Sequence, residues 1–240
     1  MAKLVQNRIL AVLAMGLISA LATNTAEAQF FQGFEAQAGM EFPMSMQVRA
    51  RTNFPQNWFG VLGLGFSPAF LTDSYSSLAS GIGIHGENTA KLVTSGIANN
   101  IYMDVRVGYE FGSEESGLYV DFGYSLSTGK GGSTDMDTIE ESLDRDFFGI
   151  AQTAKPDIST SMHSLTAHVG YTKRLSNSFF LVLEAGLIKP ISSSTEVTFD
   201  SFVTPANEEL VDKEVDDYLQ GVISGEMFVP TFAAWVSYLF

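Results

Sequence analysis

Nine ionisable side chains are spaced so that they can meet: Glu35, Arg49, Arg51, Asp104, Arg106, Glu110, Asp121, His168 and Glu184. Each lies where polar and apolar residues alternate, so in an extended chain all nine occupy the polar face. Arginines beside carboxylates form strong charge-assisted pairs, and a histidine among them is the group best suited to move protons near neutral pH. A hydrolytic triad of His168, Ser125 and Glu184 draws on the same face, whereas His163 and Ser164 are adjacent and point to opposite sides. A lone histidine among paired charges reads as a hydrogen-bonded filler rather than a base, so no catalytic residue is assigned. His85, His163 and His168 lack metal-ligand spacing, and no glycine-rich phosphate loop occurs. The chain has no cysteine, which excludes thiol catalysis, Cys-ligated zinc and disulfides. Asp212, Glu214, Asp216 and Asp217 offer oxygens to a hard cation, but without the glycine and spacing of an EF-hand they read as the acidic surface of a helix. No cofactor and no metal is expected.

The elements that must position these side chains are strands. From Ile101 to Gly112 the odd positions are apolar, while the even ones include Asp104, Arg106, Gly108 and Glu110. The same alternation marks Met44-Thr52, Trp58-Phe66, Gly117-Thr128, Met162-Leu175, Phe179-Lys189 and Met227-Phe240. These are seven strands; the eighth is assigned to Phe30-Ala38, because single-chain bacterial membrane barrels have even strand numbers. Asn53-Asn57, Ser113-Ser116 and Ser176-Ser178 are short turns, whereas Pro68-Asn100, Thr128-Ser161 and Pro190-Glu226 are long loops. The loops carry much of the negative charge. Thr128-Ser161 holds seven acids against three bases, and Pro190-Met227 nine against one. Ile139, Leu143 and Phe147 recur every four residues. Leu210, Val215, Tyr218, Leu219 and Val222 trace a helical face between Pro205 and Gly225, with Asn207 as its cap. Short helices are therefore expected over one mouth of a barrel.

A water-soluble barrel has the same period with its apolar side inward. Here small residues recur on the polar face, where a narrow lumen needs them. Aromatics lie near strand ends at Tyr109, Phe111, Tyr119, Tyr171, Phe179, Tyr238 and Phe240, and short turns alternate with long loops. These features turn Val105 and Val120 toward lipid and the nine charges into one lumen. An eight-stranded barrel is just wide enough inside for side chains, and an unpaired charge there is costly. The expectation is a network of arginine-carboxylate pairs that crosses the lumen and closes it. A weak repeat, Val107-Gly108-Tyr109, Val169-Gly170-Tyr171 and Val236-Ser237-Tyr238, falls at equivalent places in three strands.

Both chain ends bear on location. Met1-Ala28 begins with Lys3 and Arg8, continues through an apolar run from Ile9 to Leu21, and closes on Ala26-Glu27-Ala28, the small-x-small pattern of a signal-peptidase site. Residues 1–28 are read as a signal peptide and 29–240 as one barrel domain. Without that segment the chain keeps 11 basic and 26 acidic residues, a net charge of −15, which excludes nucleic acid as a partner. No later apolar stretch is long enough for a spanning helix.

The final alternation, with Val236, Tyr238 and Phe240 on one face, resembles the carboxy-terminal signal that the barrel-assembly machinery recognises. The mature chain as a whole resembles the small eight-stranded outer-membrane barrels of the OmpA, OmpX and OmpW type. It departs from the first in lacking a carboxy-terminal peptidoglycan-binding domain and from the second in its longer loops. The resemblance implies an all-β, transmembrane, antiparallel up-and-down barrel with long, partly helical extracellular loops. Its implied partners are outer-membrane lipid, lipopolysaccharide and the assembly machinery, with an extracellular ligand unspecified. Lipid A deacylases of similar size carry a His-x-Ser pair that His163-Ser164 does not match. The expected function is non-enzymatic, structural or adhesive; the alternative is a narrow channel for small or hydrophobic solutes, with a lipid-modifying enzyme third.

Overall fold

The computed structural model describes residues 33–240 apart from 82, 84, 114–115, 148–149, 151–153 and 200–202. The segment read as a signal peptide lies outside these residues. The chain runs through β1 (Gly33–Phe42), β2 (Ser45–Asn53), β3 (Trp58–Ser67), α1 (Ala69–Gly81), α2 (Glu87–Ile97), β4 (Asn100–Ser113), β5 (Ser116–Gly129), the two-residue β6 (Gly132–Ser133) and α3 (Met136–Leu143). It continues through β7 (Pro156–Arg174), β8 (Phe179–Phe199), α4 (Pro205–Gln220), a π-helical turn (Gly221–Glu226) and β9 (Val229–Leu239).

Every strand pairing among the described residues is antiparallel. The eight long strands follow the order β5-β4-β3-β2-β1-β9-β8-β7, and β5 pairs with β7 to close the barrel. The first and last strands meet along a register that sets Ala36 against Tyr238 and Ala38 against Val236. Closure leaves no free edge within the wall, which an alternating sheet of this size otherwise exposes.

Alternation survives as an inside-out arrangement. Val105 is 52 % exposed and Phe122 63 %, and the outward residues Val48, Leu64, Leu118, Leu165, Val169, Leu183 and Val236 join them in a continuous apolar belt. Val120 is half-buried on the same face as Leu118 and Phe122. All nine charges expected on the polar face lie inside except Glu110, which is half-buried at the mouth.

Several boundaries differ from the sequence reading. The eighth strand is Gly33–Phe42 rather than Phe30-Ala38, with 30–32 outside the described residues, and a two-residue turn joins it to β2. β7 begins at Pro156 and β8 ends at Phe199, so part of two expected loops is a hairpin standing above the wall. A register shift at His163/Ser164 lets this happen: inward positions on β8 change from Glu184, Ile188 and Pro190 to Ser193, Thr195 and Val197. Tyr119, expected among the aromatics at strand ends on the lipid side, is buried in the lumen.

The loop helices and this hairpin close the loop end. Leu92 and Ile97 from α2, Ile139 from α3, Ile158 and Val197 from the hairpin, and Val211, Val215 and Leu219 from α4 share one apolar core with Met44, Tyr102, Met162 and Ile188 at the barrel top. The described parts of the loops therefore form a packed cap. The residue before α4 is Thr204, with Pro205 in the first turn; Asn207 lies inside the helix and is not its cap.

The upper edges of the hairpin are covered too. On β7, β6 supplies the partner strand. On β8, which outruns β9, the Thr195 N–H donates to Asp216 Oδ1 at 2.6 Å and the Val197 N–H to Asp212 Oδ1 at 2.8 Å. Two acids one helical turn apart thus satisfy strand amides that have no neighbouring strand.

Candidate functional site

The barrel wall brings charged side chains from six strands into one layer across the lumen. Arg106 on β4 donates from Nε to Asp104 Oδ2 at 2.5 Å, from Nη2 to Glu41 Oε2 at 3.1 Å and from Nη1 to Glu184 Oε2 at 3.3 Å. Arg49 on β2 donates to the same Glu184 oxygen at 3.0 Å and to the same Glu41 oxygen at 3.3 Å. Its Nε donates to Gln47 Oε1 at 3.0 Å, and its guanidinium lies 3.5 Å over the Trp235 ring. Glu184 also accepts from the Trp235 indole N–H at 2.9 Å and the Tyr119 hydroxyl at 2.6 Å. These side chains are almost wholly buried. Each guanidinium therefore meets carboxylates in a low-dielectric interior, where pairing is what makes burial tolerable.

His168 on β7 completes the layer. Its Nδ1 is 2.9 Å from Asp121 Oδ1 and its Nε2 is 2.9 Å from Glu41 Oε1; Arg106 Nη1 also approaches Nδ1 to 2.9 Å. Both ring nitrogens are committed to charged neighbours. The His168-Ser125-Glu184 triad is not assembled, because Glu184 is taken by Arg49, Arg106, Tyr119 and Trp235 and no bond links His168 to Ser125. His163 points outward to the Tyr124 hydroxyl, and Ser164 points inward.

A second layer lies nearer the short turns. Arg51 pairs with Glu110, lies 3.7 Å from Glu35 Oε1, donates from Nε to Asn53 Oδ1 at 3.1 Å and stacks 4.0 Å over the Phe59 ring. Glu35 also accepts from Ser237 Oγ at 2.6 Å. Beneath is a vestibule of about 420 Å³, lined by Glu35, Arg51, Glu110, Arg174, Trp58 and Phe180 among others. The lumen is thus open at the turn end, filled by charge in the middle, and covered at the loop end by the apolar core.

The three-residue repeat has a packing meaning. Gly108 faces Phe59 in the β3–β4 register, Gly170 faces Tyr119 between β5 and β7, and Ser237 faces Phe180 between β8 and β9. At each place a small inward residue makes room for an inward ring on the adjacent strand. The fourth equivalent pair, between β1 and β2, is Glu35 against Arg51.

Sequence reading misses Glu41, Gln47, Tyr119 and Trp235 as members of the network. Glu41 is legible in principle: Glu35, Gln37, Gly39 and Glu41 continue one inward face, but the expected strand stops at Ala38. Val236 and Tyr238 face outward on β9; Tyr238 packs on Phe179 at 5.1 Å and on Phe240 at 4.8 Å, and Phe240 meets Phe34 at 5.7 Å. In the acidic quartet on α4, Asp212 and Asp216 hold the β8 edge and Glu214 pairs with Arg145 at 2.7 Å. Among the described residues, no three His, Asp or Glu side chains converge as a metal centre.

No family model and no curated protein matches the chain. The solved structures to which it is similar include three outer-membrane barrels or barrel domains. The N-terminal β-barrel domain of Pseudomonas aeruginosa OprF is 10 % identical, with 87 % of this chain and 96 % of that one covered and a TM-score of 0.42. A major outer membrane protein from Thermus thermophilus is 13 % identical over 87 % and 98 %, with a TM-score of 0.48. The Yersinia pestis outer membrane protein Ail is 12 % identical over 87 % and 99 %, with a TM-score of 0.40.

Proposed function

We propose that this chain is a barrel of the bacterial outer membrane whose role is structural or adhesive, with a lumen closed to bulk flow. The observation that carries the reading is the inversion of polarity: a continuous apolar belt outside and buried ion pairs inside. On β4 the outward apolar residues run from Ile101 to Phe111, roughly 33 Å of strand. At the tilt usual for such barrels that is about 25 Å of membrane depth, the height of a lipid-facing band. Rings at the turn end, Trp58 with Tyr109 and Tyr238 with Phe179 and Phe240, sit where an aromatic girdle belongs. The turns then face the periplasm, and the acidic cap faces outward.

The barrel holds the cap rigidly at the cell surface, the arrangement suited to contact with other molecules. Lipid and lipopolysaccharide surround the belt, and the assembly machinery reads the carboxy-terminal strand. Catalysis has no part in this reading, because His168 is engaged at both nitrogens. A narrow channel is the second reading, favoured by the polar vestibule at the turn end. Planar-bilayer recording separates the two: the purified protein is expected to give no steady pore, and a large, persistent conductance would overturn the closed-lumen reading.

A further inference from the structure

The central layer does not balance its charge. Glu41, Asp104, Asp121 and Glu184 face Arg49, Arg106 and His168, so even with His168 fully protonated four negative groups meet three positive ones. The lower layer, Arg51 with Glu35 and Glu110, also has one acid in excess, but Glu110 is partly open to solvent at the vestibule. The central layer has no such outlet, because its side chains are nearly inaccessible. A buried net charge of this kind is compensated by a proton or a bound ion rather than left alone.

Two carboxylate oxygens in the layer, Asp104 Oδ1 and Asp121 Oδ2, are buried without a hydrogen-bond partner among the described residues, and the first has a second acceptor close by. Asp104 Oδ2, by contrast, is held by Arg106 Nε. Oδ1 lies above Gly63 of β3: a Cβ built on that glycine would be 1.8 Å from Asp104 Oδ1 and 2.7 Å from Gln47 Oε1. The Gln47 amide cannot turn to offer its N–H groups there. Its oxygen accepts from Arg49 Nε at 3.0 Å, and its Nε2 donates to Ser45 Oγ at 2.6 Å and Glu41 Oε2 at 3.2 Å. Two acceptor oxygens thus share the space over a residue without a side chain, and no donor among the described residues satisfies Oδ1 there.

We propose that a small monovalent metal cation of the sodium type binds inside the lumen, against Asp104 Oδ1 and Gln47 Oε1 over Gly63. A carboxylate and an amide oxygen are the hard donors such an ion prefers, and one positive charge neutralises the central layer. The ion is a structural counter-ion: it links β2 to β4 across the bare face of β3.

The test uses the folded protein in detergent, so its outcome does not depend on where the protein resides. The unfolding midpoint is measured in NaCl and in choline chloride at equal ionic strength, which screen surface charge alike, and then across a Na⁺ series made up with choline. The expected result is stabilisation that sets in near the Na⁺ dissociation constant, with the folded-to-unfolded ratio rising about tenfold for each tenfold increase in Na⁺ above it. Asp104→Asn removes the excess charge and is expected to fold while losing the Na⁺ dependence. Should that variant fail to fold, ²³Na relaxation on the unmodified protein decides: broadening that excess Li⁺ reverses supports the site, and no broadening overturns it. Equal midpoints in the two salts overturn the proposal. So does a stability that ignores Na⁺ and falls as pH rises, since a proton then holds the place.

Discussion

Gly170 stands opposite Tyr119 in the β5–β7 register, and a Cβ on Gly170 would lie 2.0 Å from the Tyr119 ring. The ring is held at that same end, where its hydroxyl donates to Glu184 at 2.6 Å. The glycine and the ion-pair layer are therefore coupled through one aromatic side chain. Gly170→Ala is expected to force the ring off its seat and destabilise the barrel by about 1–3 kcal/mol, the usual cost of overpacking. Urea unfolding followed by gel mobility checks this, and an unchanged midpoint would refute the coupling.

Arg106→Ala leaves Asp104, Glu41 and Glu184 with Arg49 as their remaining arginine partner. Removing one partner of a buried ionic network typically costs about 3–5 kcal/mol, so a large drop in the unfolding midpoint is expected. Water should enter to hydrate the freed carboxylates, and flickering conductance should appear in planar bilayers where the unaltered protein is silent. A variant as stable and as silent as the parent would mean that Arg106 does not hold the lumen closed.

Asp212→Ala and Asp216→Ala take away the acceptors for the Val197 and Thr195 amides. The loss is local, on the order of 1–3 kcal/mol for an amide left without its partner, and it falls on the cap rather than the wall. Hydrogen exchange at Thr195 and Val197 should accelerate roughly tenfold or more, consistent with that local free energy, while amides of β4 and β5 keep their protection. Uniform acceleration across the barrel would contradict a separately stabilised cap.

Val105→Arg places a charge in the middle of the apolar belt. If the belt faces hydrocarbon, the substitution costs about 2–4 kcal/mol in lipid bilayers. On a water-facing surface the same change is nearly neutral, within about 0.5 kcal/mol. Refolding into vesicles against a urea gradient distinguishes these outcomes and tests the membrane reading directly.

How far the amino-acid order alone discloses this protein differs from element to element. The inward orientation of Arg49, Arg51, Asp104, Arg106, Asp121, His168 and Glu184 is legible because it is local: successive side chains of an extended chain point to opposite sides whatever lies around them. Glu41 is lost at a strand boundary, since the short turn at Pro43 and Met44 lacks the long polar spacer that marks the other connections at that end of the barrel. Helices α1 and α2 are not foreseen, because their apolar positions become coherent only when α1 packs on α2 and α2 packs on α3 and β7.

What the sequence determined by itself is therefore the two-faced character of each strand, the alternation of short and long connections, and the supply of arginines and carboxylates to one side. Only the tertiary structure decided which charge meets which. The meeting of Glu41 on β1 with Arg106 on β4 and His168 on β7 depends on closure between β5 and β7 and on the stagger of each strand against the next. Likewise, the shift at His163/Ser164 decided that the upper part of β8 buries Val197 and offers its amides to α4. Covalent geometry acts over two residues, so facing is written locally. Register and closure arise from hydrogen bonds between distant segments, so partnership belongs to the assembled barrel.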